Sequence, residues 1–321
     1  MVSTAPVRCA AAMERNDLRL THTYTVDGWS ARDLRAACRD GTLEQLRRGV
    51  YAPPGADEPR GRHRDLARAA AVLRLPGTAI SHASAALFHG LPVPASSLTQ
   101  VHLTRASGSH GRRRAGVHFH HSPLRDDEVV LIDGFRVTAL ERTIADTLRD
   151  ERFEWSVAIA DAGLARQADA GVLLAYADAG RRRRGNRNLQ RALAFADGRA
   201  GSPAESMSRV SMLRAGIPTP HLQFEVINAD GEWVATSDFA WPEFGLIGEM
   251  DGRVKYDAPD RGRTASDVVA REKDREERIR ACGWSITRWA WDVAVDHRRL
   301  GEQLRQALRF ATIGSQARFT A

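Results

Sequence analysis

Three changes of pattern along the chain predict a multidomain α+β protein. Near the N-terminus a short amphipathic helix is followed by a basic hairpin. Through the middle, helices give way to short alternating strands and then return. From residue 202 a helix, three strands, a second helix and a last strand follow in turn. Each change is a switch between the period of a helix, about 3.6 residues, and that of a strand, about 2. The 321 residues suit two or three domains at roughly 150 residues each. The expected divisions are a helix-and-hairpin domain over 1–55, an α+β domain over 56–178, an Arg-rich linker over 179–200, and an α/β domain with a mixed central sheet over 201–321.

Composition narrows the function classes. Lys and Arg number 47 against 40 Asp and Glu, for a net charge of +7, and 43% of residues are hydrophobic. That share is ample for cores. The basic excess favours a polyanionic partner, although an Arg-preferring genome gives the same excess. The three cysteines, Cys9, Cys38 and Cys282, form no CxxC pair, which argues against a disulfide framework or a zinc ribbon. No stretch approaches the ~18 apolar residues of a membrane span. The N-terminus lacks a basic segment followed by an apolar core, so no signal peptide is read. A cytoplasmic protein without a membrane partner is expected.

Ser30 can cap a helix over Ala31–Asp40 whose apolar positions are Leu34, Ala37 and Cys38, with Gly41 as its stop. Thr42–Tyr51 then reads as two short strands pinched around Arg47-Arg48-Gly49. A helix followed by a basic hairpin is the outline of a winged helix-turn-helix. In that arrangement Arg32 and Arg35 on the helix would meet the major groove of DNA, and Arg47 and Arg48 on the wing would meet phosphate. Helices are predicted at His63–Leu75 and Ser81–His89, the second stopped by Gly90-Leu91-Pro92. Strands follow at Val101–Thr104, Val117–His120 and Val129–Ile132, with Asp133-Gly134 as a turn. Helices return at Ala139–Leu148 and Glu154–Gln167. The stretch Gly180–Asn186, with four consecutive arginines and no apolar period, reads as a solvated linker.

The C-terminal region carries the chemistry. Ser202-Pro203-Ala204-Glu205 opens a helix, with Ser202 as N-cap, Pro203 in the first turn and Glu205 completing a capping box. Gly216 ends it. Leu222–Ile227 and Trp233–Trp241 form a hairpin around Asn228–Gly231, and Asp238 lies late in the second strand. Leu246–Asp251 is a third strand on which Glu249 and Asp251 share a face. Acids brought together from a helix and two strands supply the oxygen ligands that Mg²⁺ or Mn²⁺ takes. Asp238, Glu249 and Glu205 are the expected metal ligands. Such an ion can polarise a phosphodiester and lower the pKa of a water. Lys255 is placed to neutralise charge on the phosphorus oxygens. In the next helix Glu272 and Arg275 interrupt the stripe Val268, Ile279, Cys282, which demands pairing or function.

Asp238 followed by Glu249-Met250-Asp251 is similar to the PD-(D/E)xK motif of restriction-type nucleases. The wider pattern resembles the branch related to very-short-patch-repair endonucleases, in which an E-x-D-G-x-x-H stretch precedes a D-x-x-R helix and a G-W/Y-x-V-x-R strand. Here these read Glu249–Lys255, Glu272–Arg275 and Gly283–Arg288. Asp251 stands where the motif has Lys, Lys255 where it has His, and Glu272 where Asp is commoner. The resemblance implies a restriction-endonuclease-like α/β domain and a metal-dependent endonuclease, with Asp238, Glu249, Asp251 and Lys255 catalytic and Glu205, Glu272 and Arg275 supporting. The altered positions leave open a degenerate site that only binds. The front of the chain resembles the AbiEi group of antitoxins, on Leu46–Ala52, Gly134–Ala139 and Arg142–Asp146. That resemblance implies operator binding by a winged helix and a nucleotidyltransferase toxin as partner.

His118 and His120 share a strand face beside His121, but sequence places no third ligand with them, and the expected reading is an exposed strand face. Ser81-His82 and His89 have no nucleophile-elbow context.

Overall fold

In the computed structural model of the chain the described residues are 18–55, 58–73, 77–106, 112–114, 116–251 and 265–319. They form a mixed α+β protein with three sheets, two of them mixed in strand direction. Contacts divide the chain into two compact units, Met1–Thr147 and Leu148–Ala321. Among the described residues no helix is long and apolar enough to cross a membrane.

The first unit begins with β1 (Arg19–Leu20), α1 (Thr21–Val26), α2 (Ala31–Arg39), β2 (Glu44–Arg47) and β3 (Val50–Ala52), whose strands form an antiparallel sheet in the order β1-β3-β2. Helix α2 starts where its capping box dictates. The Asp33 amide donates to Ser30 Oγ at 3.2 Å, and the Ser30 amide donates to the Asp33 carboxylate at 2.8 Å. Tyr24, Leu34, Ala37 and Leu43 bury together. Helix α1, which a six-residue segment without a strong period did not announce, precedes α2. Arg47 pairs with Val50, so the β2–β3 hairpin turns on Arg48-Gly49, with Gly49 at φ +83°.

Leu46, Val50 and Ala52 of the hairpin pack on Ala69 of α3 (Pro59–Val72). This helix begins a turn earlier than its apolar period suggests, because Glu58 caps it, accepting from the Arg60 and Gly61 amides at 3.0 and 2.7 Å. Next come β4 (Thr78–Ile80), α4 (His82–Phe88), β5 (Val101–Arg105), β6 (Arg112–Arg114), β7 (Val117–His121), β8 (Val129–Ile132), β9 (Phe135–Thr138) and α5 (Leu140–Asp150). The six strands order as β6-β7-β5-β4-β9-β8, with β5/β7 and β4/β9 parallel. Ala67, Ala70, Ala85 and Phe88 of α3 and α4 cover one face over Ile80, Leu103, Val117 and Val137. The stretch Arg142–Asp146 is a buried knot. Arg142 donates to Asp146 at 2.6 Å, to Glu128 at 3.0 Å and to Ser122 Oγ at 2.7 Å. A buried guanidinium so saturated fixes the entry of α5 against the sheet.

The second unit contains α6 (Phe153–Ala165), α7 (Ala170–Ala179), α8 (Asn186–Phe195), α9 (Pro203–Ala215), β10 (His221–Ile227), β11 (Trp233–Trp241), β12 (Leu246–Met250), α10 (Ala265–Ala281), β13 (Ser285–Trp289), α11 (Trp291–Ala294) and α12 (His297–Phe319). Two expectations change here. Helices α6 to α8 belong to the unit that holds the C-terminal sheet, so the division falls after Thr147 rather than near 178. The stretch expected as a linker contains α8, whose Leu189 and Ala192 are fully buried. Their one-turn spacing was masked by the arginine run ahead of them. Buried Asp161 of α6 accepts from Arg209 and Ser206 of α9, each at 2.7 Å, and from the Asp197 amide at 2.7 Å.

The sheet runs β10-β11-β12-β13, antiparallel except for the β12/β13 pair, which α10 connects, and is mixed as expected. Phe239, Trp241, Leu246 and Trp289 pack with Met212 of α9 and Leu300 and Leu304 of α12. Ala240, Ile247 and Val226 pack with Ile279 of α10. Gly248 lies where a Cβ would meet the Trp289 ring at 2.7 Å, so only glycine fits. Leu222 joins the first cluster and Phe224 the second. Strict alternation would put both on one face. Gln223 between them, at φ +48°, makes the reversal.

Candidate functional site

The N-terminal arginines form a surface. Leu34 and Ala37 turn one side of α2 into the core, which leaves Arg32, Arg35 and Arg39 exposed, spaced three and four apart on one face. The neighbouring acids are engaged locally. Asp33 serves the capping box, and Asp40 accepts from the Thr42 amide and hydroxyl at 3.0 and 2.6 Å. Arg48 is exposed at the tip of the wing, and Arg47 is half-buried beside it. Sequence reading found Arg32, Arg35, Arg47 and Arg48. Arg39 completes the face and follows from the same spacing.

The C-terminal sheet gathers a row of polar residues. The register Leu222↔Phe239 and Phe224↔Ser237 puts Gln223 opposite Asp238. The register Phe239↔Gly248 puts Asp238 opposite Glu249, and Glu249 pairs with Arg288. One residue from each strand thus stands in line. Asp238 accepts the Met250 amide at 2.8 Å, which holds its carboxylate between β11 and β12. Glu205, at the N-terminus of α9, accepts from the Gly201 amide at 2.7 Å, Ser202 Oγ at 2.9 Å and Gln223 Nε2 at 3.0 Å. Burial raises the Glu205 carboxyl above its ordinary range, and the nearby charge of Asp238 adds to the rise. The capping role and the approach to Asp238 therefore belong to the same side chain.

Glu249 has a different surrounding. Its two oxygens accept from Arg275 Nη2 at 2.5 Å and Arg288 Nε at 2.9 Å. Arg288 also donates to Glu272 at 2.6 Å and Glu276 at 2.8 Å, and Arg275 to Glu272 at 3.2 Å. Burial raises the Glu249 carboxyl, opposed by the two guanidinium groups. Glu272 and Arg275, which interrupt an apolar stripe in sequence, are thus explained as a paired network. Among the described residues Glu205, Asp238 and Glu249 do not form a group close enough to share one ion. The expected convergence of three carboxylates differs from the arrangement because Arg275 and Arg288 occupy Glu249. Both oxygens of Glu249 face guanidinium groups, whereas Glu205 and Asp238 stand outside that network. Asp251 is exposed, and its amide donates to the Trp289 carbonyl at 2.9 Å. Lys255 lies outside the described residues. Sequence reading missed Gln223, Arg288 and Glu276 as members of this site. Arg288 closes the strand motif of the nuclease resemblance, and that was the signal available.

The histidines expected on an exposed strand face are instead part of a cluster. His118 and His120 on β7 are half-buried beside His102 of β5 and His82 at the start of α4. One ring nitrogen from each of His82, His102 and His120 lies within 4.8 Å of the others. Burial, with smaller contributions from His118, His63 and Arg113, pushes His102 down to about 3, and burial likewise lowers His120.

Two proteins of Mycobacterium tuberculosis, one from strain CDC 1551 / Oshkosh and one from strain H37Rv and each described as uncharacterized, are similar to this chain. Each is 32% identical over 188 residues, which is 58% of this chain and 65% of the relative. The chain therefore spans less than two thirds of their length. No family model matches the chain.

Proposed function

We propose that the protein binds double-stranded DNA through its N-terminal helix–turn–helix and wing. The observation that carries this reading is the exposed face Arg32, Arg35 and Arg39 on α2, with Arg48 at the wing tip. A helix of about 10–12 Å diameter with its side chains fills the major groove, about 12 Å wide. Arginine near the start of a recognition helix can donate two parallel bonds to guanine, and wing arginines neutralise phosphate. In this reading the protein is a DNA-binding regulator, with the AbiEi resemblance naming a nucleotidyltransferase toxin as a further partner. Selection from a pool of random duplexes with the full-length chain tests it. A recurrent sequence motif is expected, lost from the pool selected by Arg32→Ala/Arg35→Ala. A pool that stays random counts against the proposal.

A second reading is metal-dependent phosphodiester hydrolysis by the C-terminal unit. It is favoured by Glu205 and Asp238, two acids close enough for one to shift the other, beside the strand that carries Glu249. Both oxygens of Glu249 are held by arginines. The reading predicts nicking of supercoiled DNA with Mg²⁺ or Mn²⁺ that EDTA abolishes. Both Asp238→Asn and Glu249→Gln must remove that nicking while DNA binding persists. Cleavage surviving in both variants removes this reading.

A further inference from the structure

Outside the sites above, one cluster of ligating side chains stands out. His102 Nδ1 and His120 Nε2 lie 2.9 Å apart on neighbouring parallel strands. The His82 ring stacks on His120 with centroids 3.5 Å apart. His118 stands beside them, its centroid 4.0 Å from that of His120 and 5.4 Å from that of His102. Three elements distant in sequence thus deliver imidazoles to one point. Without an ion the His102–His120 contact is an N–H···N hydrogen bond between neutral rings, which an ion bound by both nitrogens would replace.

At His82 one ring nitrogen has the outer partner that holds metal-bound imidazoles in orientation. His82 Nδ1 bonds Ser81 Oγ at 3.0 Å. Ser81 Oγ in turn accepts from Thr104 Oγ1 at 2.8 Å. Ser84 Oγ accepts the His102 amide at 2.8 Å and bonds His63 Nε2 at 2.8 Å, so the backbone under His102 is pinned. His82 itself adopts φ +50°, a left-handed conformation uncommon outside glycine. Strain of that kind persists where the surroundings over-determine it, and it gathers at ligand sites.

We infer that His82, His102 and His120 form a binding site for one divalent first-row transition-metal ion, Zn²⁺ foremost, independent of the carboxylates of the C-terminal unit. Imidazole nitrogens suit Zn²⁺, Co²⁺, Ni²⁺ and Cu²⁺, whereas Mg²⁺ takes oxygen. Three protein ligands with a fourth position left over is the pattern of an open zinc site. Nitrogens at about 2.0–2.1 Å from a tetrahedral ion are about 3.3 Å apart. The His102–His120 separation therefore has to widen by a few tenths of an ångström, and the His82 ring has to turn out of its stack on His120 so that its nitrogen faces the same ion.

The test uses the full chain, stripped with chelator and titrated with Zn²⁺ and, separately, Co²⁺. One saturable equivalent is expected, with a rise in melting temperature. His102→Ala and His120→Ala should each weaken binding by more than the about 10–100-fold that loss of an outer-shell partner costs. Ser81→Ala should fall within that range, and exposed His221→Ala should change nothing. A variant-free measurement guards against misfolding. X-ray absorption of the Zn²⁺-loaded wild type should show imidazole scattering with nitrogen at about 2.0–2.1 Å. A shell without imidazole, binding undiminished in the His102/His120 double variant, or no saturable binding by the wild type overturns the assignment.

Discussion

At Asp161 the physics of a single carboxylate can be followed to a measurement. It is fully buried and accepts from Arg209, Ser206 and the Asp197 amide, yet burial outweighs these partners and raises its pKa. With the folded value above the unfolded one, the folded state holds the proton longer. Stability from this group is therefore complete below the ordinary carboxylate range and falls as pH climbs through the raised value. The advantage of wild type over Asp161→Asn, read from urea melts, should be largest in acid and shrink toward neutrality. An advantage that grows with pH would contradict this. Asp238 and Glu249 were legible as candidates because acids in strands beside apolar neighbours are costly, and Glu205 because it follows a helix-capping serine. The arginine clamp on Glu249 was less legible, since it depends on which residue of β13 lies beside β12. His102 was hidden for the same reason. It sits in a recognised strand, but only the parallel register with β7 brings it to His120.

Elements with their own start and stop signals were read well. The capping box at Ser30 fixes α2, the Ser202 hydroxyl caps α9 while Glu205 reaches back to the Gly201 amide, and the C-terminal hairpin follows its turn. Short elements were missed, namely α1, β4 and α11, and so were α7 and α12, although Asp169 caps the first and Asp296 accepts from the opening amides of the second. Helix α8 is instructive because its start is set by tertiary contact. Gly185, at φ +76°, brings the backbone so near α5 that a Cβ would lie 2.0 Å from the Arg149 carbonyl oxygen. Asn186 and Arg149 then bond across the junction at 3.2 Å. Gly185→Ala combines a strained φ with a backbone clash, so it should destabilise by more than about 1 kcal/mol, seen as a lower melting temperature. Alanine at exposed Gly231, also at positive φ but with open space around it, should cost less. Equal losses at the two positions would show that the backbone contact does not matter.

Across the whole molecule, the α+β class and the mixed C-terminal sheet were legible because alternation and helical period are local properties. The division after Thr147 was not, because helices α6 to α8 declare their partner only through contacts such as Asp161–Arg209. Each unit carries its own core and its own polar site: an arginine face and a histidine cluster in the first, and a carboxylate–guanidinium row in the second. The central claim is that the arginine face of the first unit meets DNA. Equilibrium binding of the full chain to duplex DNA, followed by fluorescence anisotropy across a salt series, tests it most directly. Each arginine that neutralises a phosphate contributes about 0.9 to the slope of log K against log salt. Arg48→Ala should therefore weaken binding and flatten that slope by about that amount. Arg32→Ala and Arg35→Ala should abolish preference for the selected sequence. Binding with an unchanged slope and unchanged preference in all three variants, or no binding to duplex DNA by the wild type, would contradict the account.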